Sequence, residues 1–133
     1  MQIIHEPTKT EPFLIINKPA GLPSAPLNSL DENNLVYESL KLFPQIKNVT
    51  GIKPVEYGLL HRLDTATNGL IMIAISQEFY DFMLNQQENN KFVKSYRAIC
   101  NKDFENPVKL TGFPPVCFQN KCKEFNISSF FRG

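Results

Sequence analysis

Leu70-Ile71-Met72-Ile73-Ala74-Ile75 is the longest apolar run in the chain, uncharged, rich in isoleucine and of strand length. Directly before it stands His61-Arg62-Leu63-Asp64-Thr65-Ala66-Thr67-Asn68-Gly69, and before that the apolar pair Leu59-Leu60. Asn68-Gly69 favours a turn. An acid next to an arginine is thereby expected in a loop held between two buried segments, where a carboxylate can be aimed. Taken alone, such an aspartate caps turn amides, with Arg62 as its surface partner.

Two further stretches have the same build. Phe13-Leu14-Ile15-Ile16-Asn17 reads as a buried strand, and Lys18-Pro19-Ala20-Gly21-Leu22-Pro23 turns it into a stiff loop. Phe92 to Cys100 reads as a third strand. Its alternation sets Lys94, Tyr96, Ala98 and Cys100 on one face and Val93, Ser95, Arg97 and Ile99 on the other.

The three stretches, in this order, resemble the landmarks of the pseudouridine synthases, in particular the RluA-type branch. The signature of that branch is His-Arg-Leu-Asp, two variable residues, then Thr-Ser-Gly-Leu. Nine of the ten positions from His61 to Leu70 are compatible with it, and Asn68 stands where Ser is usual. The related RsuA branch usually has Gly before Arg-Leu-Asp, so His61 favours the first. Asn17-Lys18-Pro19-Ala20-Gly21 is similar to the family's Lys-Pro-x-Gly loop, and Lys94-Ser95-Tyr96-Arg97-Ala98 to its Lys-x-Tyr-x-Ala strand.

The resemblance implies an enzyme that turns uridine into pseudouridine in structured RNA, ribosomal or transfer. It makes Asp64 the catalytic carboxylate and sets Tyr96 against the target base, its hydroxyl assisting proton transfer from C5. Arg62, Lys18 and Lys94 become substrate-binding residues, with Lys18 either structural or facing a phosphate at the cleft edge. Arg62 is placed to hold the Asp64 carboxylate ionised and oriented. The chemistry needs no cofactor and no metal. A non-catalytic RNA-binding fragment or degenerate synthase is the rival reading, and a small interaction domain with chance matches is a third.

Composition agrees without deciding. The 133 residues allow a single domain, 1–133, and 42% hydrophobic with 20% charged residues is a soluble globular balance. Residues 1–90 carry six Lys/Arg against ten Asp/Glu, whereas residues 91–133 carry eight against three, so the last third can track phosphates. Cys100, Cys117 and Cys122 are too few and too irregular for a disulfide framework and read as reduced thiols. No secretory signal or membrane span is read, so a cytoplasmic monomer is expected.

The rest of the chain completes an α+β expectation. The sheet is mixed and mainly antiparallel, with strands near 13–17, 70–75 and 92–100. Helices flank it near 34–43, capped by Asn33 or Asn34 and stopped by Pro44, and near 77–87, capped by Ser76. Residues 24–33 read as a mobile loop and 45–58 as irregular. Short hairpin strands are expected at 108–110 and 116–118, and an exposed apolar surface around Phe125, Ile127, Phe130 and Phe131. The family's later basic motif, Gly-Arg-x-His-Gln-Ile-Arg, finds no match, and there is no S4-type domain. A truncated catalytic domain is therefore expected.

Overall fold

A computed structural model describes residues 1–99 and the backbone of a strand at 122–126, with side chains described through Arg97. Its elements are β1 (Gln2–His5), β2 (Phe13–Lys18), α1 (Leu35–Leu42), β3 (Gly69–Ala74), α2 (Gln77–Glu88), β4 (Ser95–Ile99) and β5 (Cys122–Asn126). Cys100, the stretches 108–110 and 116–118, and the side chains expected to form the apolar surface at 125–131 lie outside the described residues. The chain divides into two compact units, with the boundary between Asn85 and Gln86 in the last turns of α2.

In the first unit, β1, β2 and β3 form an antiparallel sheet in that order. Alternation along β2 sends Leu14, Ile16 and Lys18 to the buried face, where β3 contributes Ile71 and Ile73. Each of those fully buried aliphatic side chains stabilises the fold by about 1.5–3 kcal/mol. β2 and β3 run antiparallel in a register that sets Phe13 opposite Ala74 and Lys18 opposite Gly69. That register places the exit of β2 beside the entrance of β3. The Lys18–Pro23 loop and the Asp64 loop are thus brought to one end of the sheet.

The segment before the Asp64 loop lies along the other edge of β3. Ala74 N–H donates to Gly58 O (2.8 Å), Leu60 N–H to Met72 O (3.2 Å), and Leu59 bridges to Ile73. Gly58 permits this approach, since a Cβ there would stand 2.0 Å from Ala74 O. Residues 62–68 therefore close a wide hairpin between residues 58–61 and β3. Gly69, with φ +151°, reopens the chain into the strand.

Both helices start on the side chains expected of them. Asn34 Oδ1 accepts from Tyr37 N–H (2.9 Å), and Ser76 Oγ accepts from Phe79 N–H (3.1 Å). Pro44 ends α1 and opens a 3-10 turn, Pro44–Asn48, followed by another at Pro54–Glu56. The stretch expected to be irregular thus has structure, and it buries Ile46 and Val49. Val49, Leu60, Ala74 and Tyr80 form a core cluster flanked by Met72, Phe79, Met83 and Leu84, as the i,i+4 spacing on α2 implies. The Tyr80 hydroxyl accepts from Ile52 N–H at 3.1 Å, so this tyrosine packs and also anchors the segment after Val49.

In the second unit, β4 and β5 pair antiparallel with Tyr96 opposite Phe125. The third strand therefore begins at Ser95 rather than Phe92, and its described partner is β5. The α+β class is as expected. Every strand pair among the described residues is antiparallel, and β1 is an addition, since four residues with two isoleucines carry little strand signal. No helix among the described residues is long and apolar enough to cross a membrane.

Candidate active site

Asp64 is exposed, yet the backbone on both sides of it is tied down. On the N-terminal side, the Ser24 hydroxyl donates to Leu63 O (2.5 Å) and its oxygen accepts from Leu63 N–H (2.9 Å). Ser24 is buried, so water does not compete for either bond. On the C-terminal side, Thr65 O accepts from Gly21 N–H (2.7 Å) and from Lys18 Nζ (3.3 Å). Thr67 N–H closes the turn on Asp64 O at 2.9 Å.

Lys18 is 0% exposed. Its ammonium donates to Pro19 O (2.9 Å), Leu22 O (2.7 Å) and Thr65 O (3.3 Å), which uses all three N–H groups. Burial pushes its pKa down, and the Asp64 charge raises it part of the way back. The expectation of a lysine facing a phosphate at the cleft edge gives way here. A fully buried ammonium with three carbonyl partners is structural, a bolt between the two loops. The signal was available: period two along β2 places Lys18 on the face of Leu14 and Ile16.

Arg62 is exposed, and its Nη1 donates to Glu56 Oε1 at 3.4 Å, an oxygen that Lys53 Nζ also approaches at 3.6 Å. The guanidinium thus turns to Glu56 instead of orienting the neighbouring carboxylate. His61 is buried and accepts from Met72 N–H at Nε2 (3.2 Å), holding the start of the loop against β3.

Arg62 and Asp64 border a hollow of about 550 Å3, whose walls also include Pro23, Ser24, Leu27 and Thr65. The first unit therefore brings together three of the five expected residues: Asp64 and Arg62 at the hollow and Lys18 beneath the loop. Tyr96 and Lys94 belong to the second unit. Tyr96 is half-buried on β4. Lys94 precedes that strand, its Nζ lies 5.7 Å from the centre of the Phe92 ring, and burial pushes its pKa down. Ser24 was missed. Nothing in Pro23-Ser24-Ala25-Pro26 announces a hydroxyl whose partner is 39 residues away.

Comparison with known proteins gives this arrangement a family. Over 99 residues the chain is 31% identical to the ribosomal large subunit pseudouridine synthase D of Pseudomonas aeruginosa, a match covering 74% of this chain and 28% of that one. Over 83 residues it is 32% identical to an uncharacterized RNA pseudouridine synthase of Chloroflexus aurantiacus, covering 62% and 25%. A MATH and LRR domain-containing protein of Plasmodium falciparum is 29% identical over 84 residues, 56% of this chain and 1% of that one. The matches thus span about a quarter of the two synthases and a very small part of the third protein. The family model described as RNA pseudouridylate synthase matches residues 12–126. Because that match runs from β2 through the Asp64 loop to β5, the chain belongs to the RNA pseudouridylate synthase family, in its RluA-type branch.

Proposed function

We propose that this chain carries the catalytic loop of an enzyme that isomerises uridine to pseudouridine in structured RNA, with Asp64 as the reacting carboxylate. One observation carries the reading: an exposed aspartate, fixed by backbone bonds on both flanks, stands in the wall of a hollow of about 550 Å3. The reaction breaks the bond from ribose C1′ to uracil N1, turns the base and rejoins it through C5. The C5 proton leaves and N1 regains one, so the atoms balance without a cofactor or metal. A carboxylate suits this chemistry because it can add to an electrophilic carbon, at the uracil ring or at C1′, and later depart.

Such chemistry requires the uridine to leave its stack and enter a pocket. Tyr96 packs on the uracil and its hydroxyl assists removal of the C5 proton. Arg62 and Lys94 meet the RNA backbone, and Arg62 exchanges Glu56 for a phosphate when RNA arrives. Lys18 positions the loop without touching substrate. Relatives named as ribosomal large subunit synthases favour ribosomal RNA over transfer RNA as substrate. A monomer acting in the cytoplasm fits this reading.

The test is tritium release from C5-labelled uridine in ribosomal RNA, using the full natural chain. Asp64→Asn keeps the side-chain shape but not the nucleophile, so turnover should be abolished while RNA binding at fixed salt persists. Parental rates from Asp64→Asn would refute the assignment. RNA binding without tritium release by the parent protein would favour a non-catalytic RNA-binding role.

A further inference from the structure

Two leucines of one loop are almost wholly bare: Leu27, which lines the hollow, is 90% exposed, and Leu30, three residues on, 87%. The loop that presents them is far from loose. The Asp31 carboxylate accepts from Leu27 N–H (3.0 Å) through one oxygen and from Asn33 N–H (3.2 Å) through the other. Asn28 Oδ1 accepts from Leu30 N–H (2.9 Å), and Asn28 O from Asp31 N–H (3.2 Å). The buried Asn34 donates from Nδ2 to Asp31 O (2.8 Å) while its Oδ1 caps α1. Every one of these bonds fixes backbone, and none needs the leucine side chains. The loop expected to be mobile thus has short polar side chains that tie it from within.

Two large apolar side chains held in solvent gain nothing from folding, whereas covering them would be favourable. Leu27 also lines the hollow that contains Asp64 and Arg62. From this continuity, and resting on the isomerase reading above, we infer that Leu27 and Leu30 form an apolar lip that packs against the RNA base next to the extruded uridine. Taking a nucleotide out of its stack exposes the face of its neighbour. Apolar side chains at the mouth of the pocket can cover that face and stabilise the opened stack. The lip engages base surface and Arg62 the backbone, so the two contacts are chemically distinct.

The experiment compares the full natural chain with Leu27→Ser/Leu30→Ser and Leu27→Met/Leu30→Met on a large-subunit ribosomal RNA transcript carrying 5-tritiated uridine. The serine pair should lower kcat/KM by about tenfold or more, and the methionine pair, which keeps the apolar area, should stay within about threefold of the parent. The melting midpoint should not move, since neither side chain is packed. The dependence of log Kd on log salt should keep its slope, since no phosphate contact is removed.

A serine pair as active as the parent overturns the lip, as does a methionine pair that fails equally. A lower sedimenting mass for the serine pair would place the leucines against a second copy of the chain. A lowered melting midpoint would place them against other parts of the protein. Either result overturns the inference. A parent protein that releases no tritium overturns the isomerase reading and the lip with it, whereas an active parent with an indifferent serine pair overturns the lip alone.

Discussion

The two loops around the hollow are held in opposite ways. The Asp64 loop is fixed from outside: Leu63 is gripped by Ser24 and Thr65 by Lys18, across sequence separations of 39 and 47 residues. The loop from Leu27 to Asn34 is fixed from inside, by Asn28, Asp31 and Asn34 bonding backbone two to four residues away. A self-tied loop takes its shape once its own segment is in place. The Asp64 loop takes its shape only when β2 and β3 have paired in register, because Lys18 stands opposite Gly69 in that pairing. Damage to the first kind of loop should stay local. Damage to the supports of the second should reach Asp64.

Lys18→Met gives the largest expected effect. It keeps most of the buried volume but leaves Pro19 O, Leu22 O and Thr65 O without their shared donor. Stability should fall by about 2–4 kcal/mol, read from chemical denaturation. Turnover should fall by about a hundredfold, since a misplacement of about 1 Å is enough for that. The pH dependence supplies a second check. Burial lowers the folded pKa of Lys18, so the unfolded chain binds more protons between that value and the ordinary lysine value. Stability of the parent relative to Lys18→Met should therefore rise with pH across this window. A relative fall would mean that the three carbonyls outweigh desolvation.

Ser24→Ala comes next. It deprives Leu63 N–H and O of the same hydroxyl inside a buried site, at a cost of about 1–3 kcal/mol. Turnover should drop by about tenfold with little change in RNA affinity, because no group that meets RNA is altered. Ser24→Thr keeps the hydroxyl and tests whether the bond or the small size matters. Should Ser24→Ala match the parent in both stability and rate, the N-terminal grip on Asp64 is unnecessary, and the contrast between the loops weakens.

Legibility in the sequence follows the same divide. The Asp64 loop, its flanking strand and the two helix caps were readable because their signals are local: apolar runs, an Asn-Gly, and Asn or Ser at a helix start. The caps formed on Asn34 and Ser76 as that chemistry requires. The supports were not readable in the same way. Ser24 gives no local sign of its distant partner, and the prolines and glycine after Lys18 mark a loop but leave open whether the lysine is structural or faces a phosphate. The alternation of β2 pointed inward and was the better guide. The 24–33 loop shows the opposite case: the polar residues that read as a loop, Asn28 and Asp31, together with Asn34, are the ones that bond its backbone.

Asp31→Ala should have the smallest effect, and it is the sharpest test of the contrast. Leu27 N–H and Asn33 N–H lose an acceptor, but both residues are at least partly open to solvent and water can take its place. The cost in stability should be below about 1 kcal/mol, well under that of Ser24→Ala. Amide exchange should quicken at Leu27 and Asn33 and stay unchanged at Leu63 and Thr67, whose N–H partners are Ser24 Oγ and Asp64 O. Turnover should fall only a few-fold, about the loss expected from loosening the leucine lip without removing it, and the change should appear in KM rather than kcat. If exchange also quickens at Leu63 and Thr67, the two loops are one cooperative unit, and the grip on Asp64 extends through the loop that was taken to stand alone.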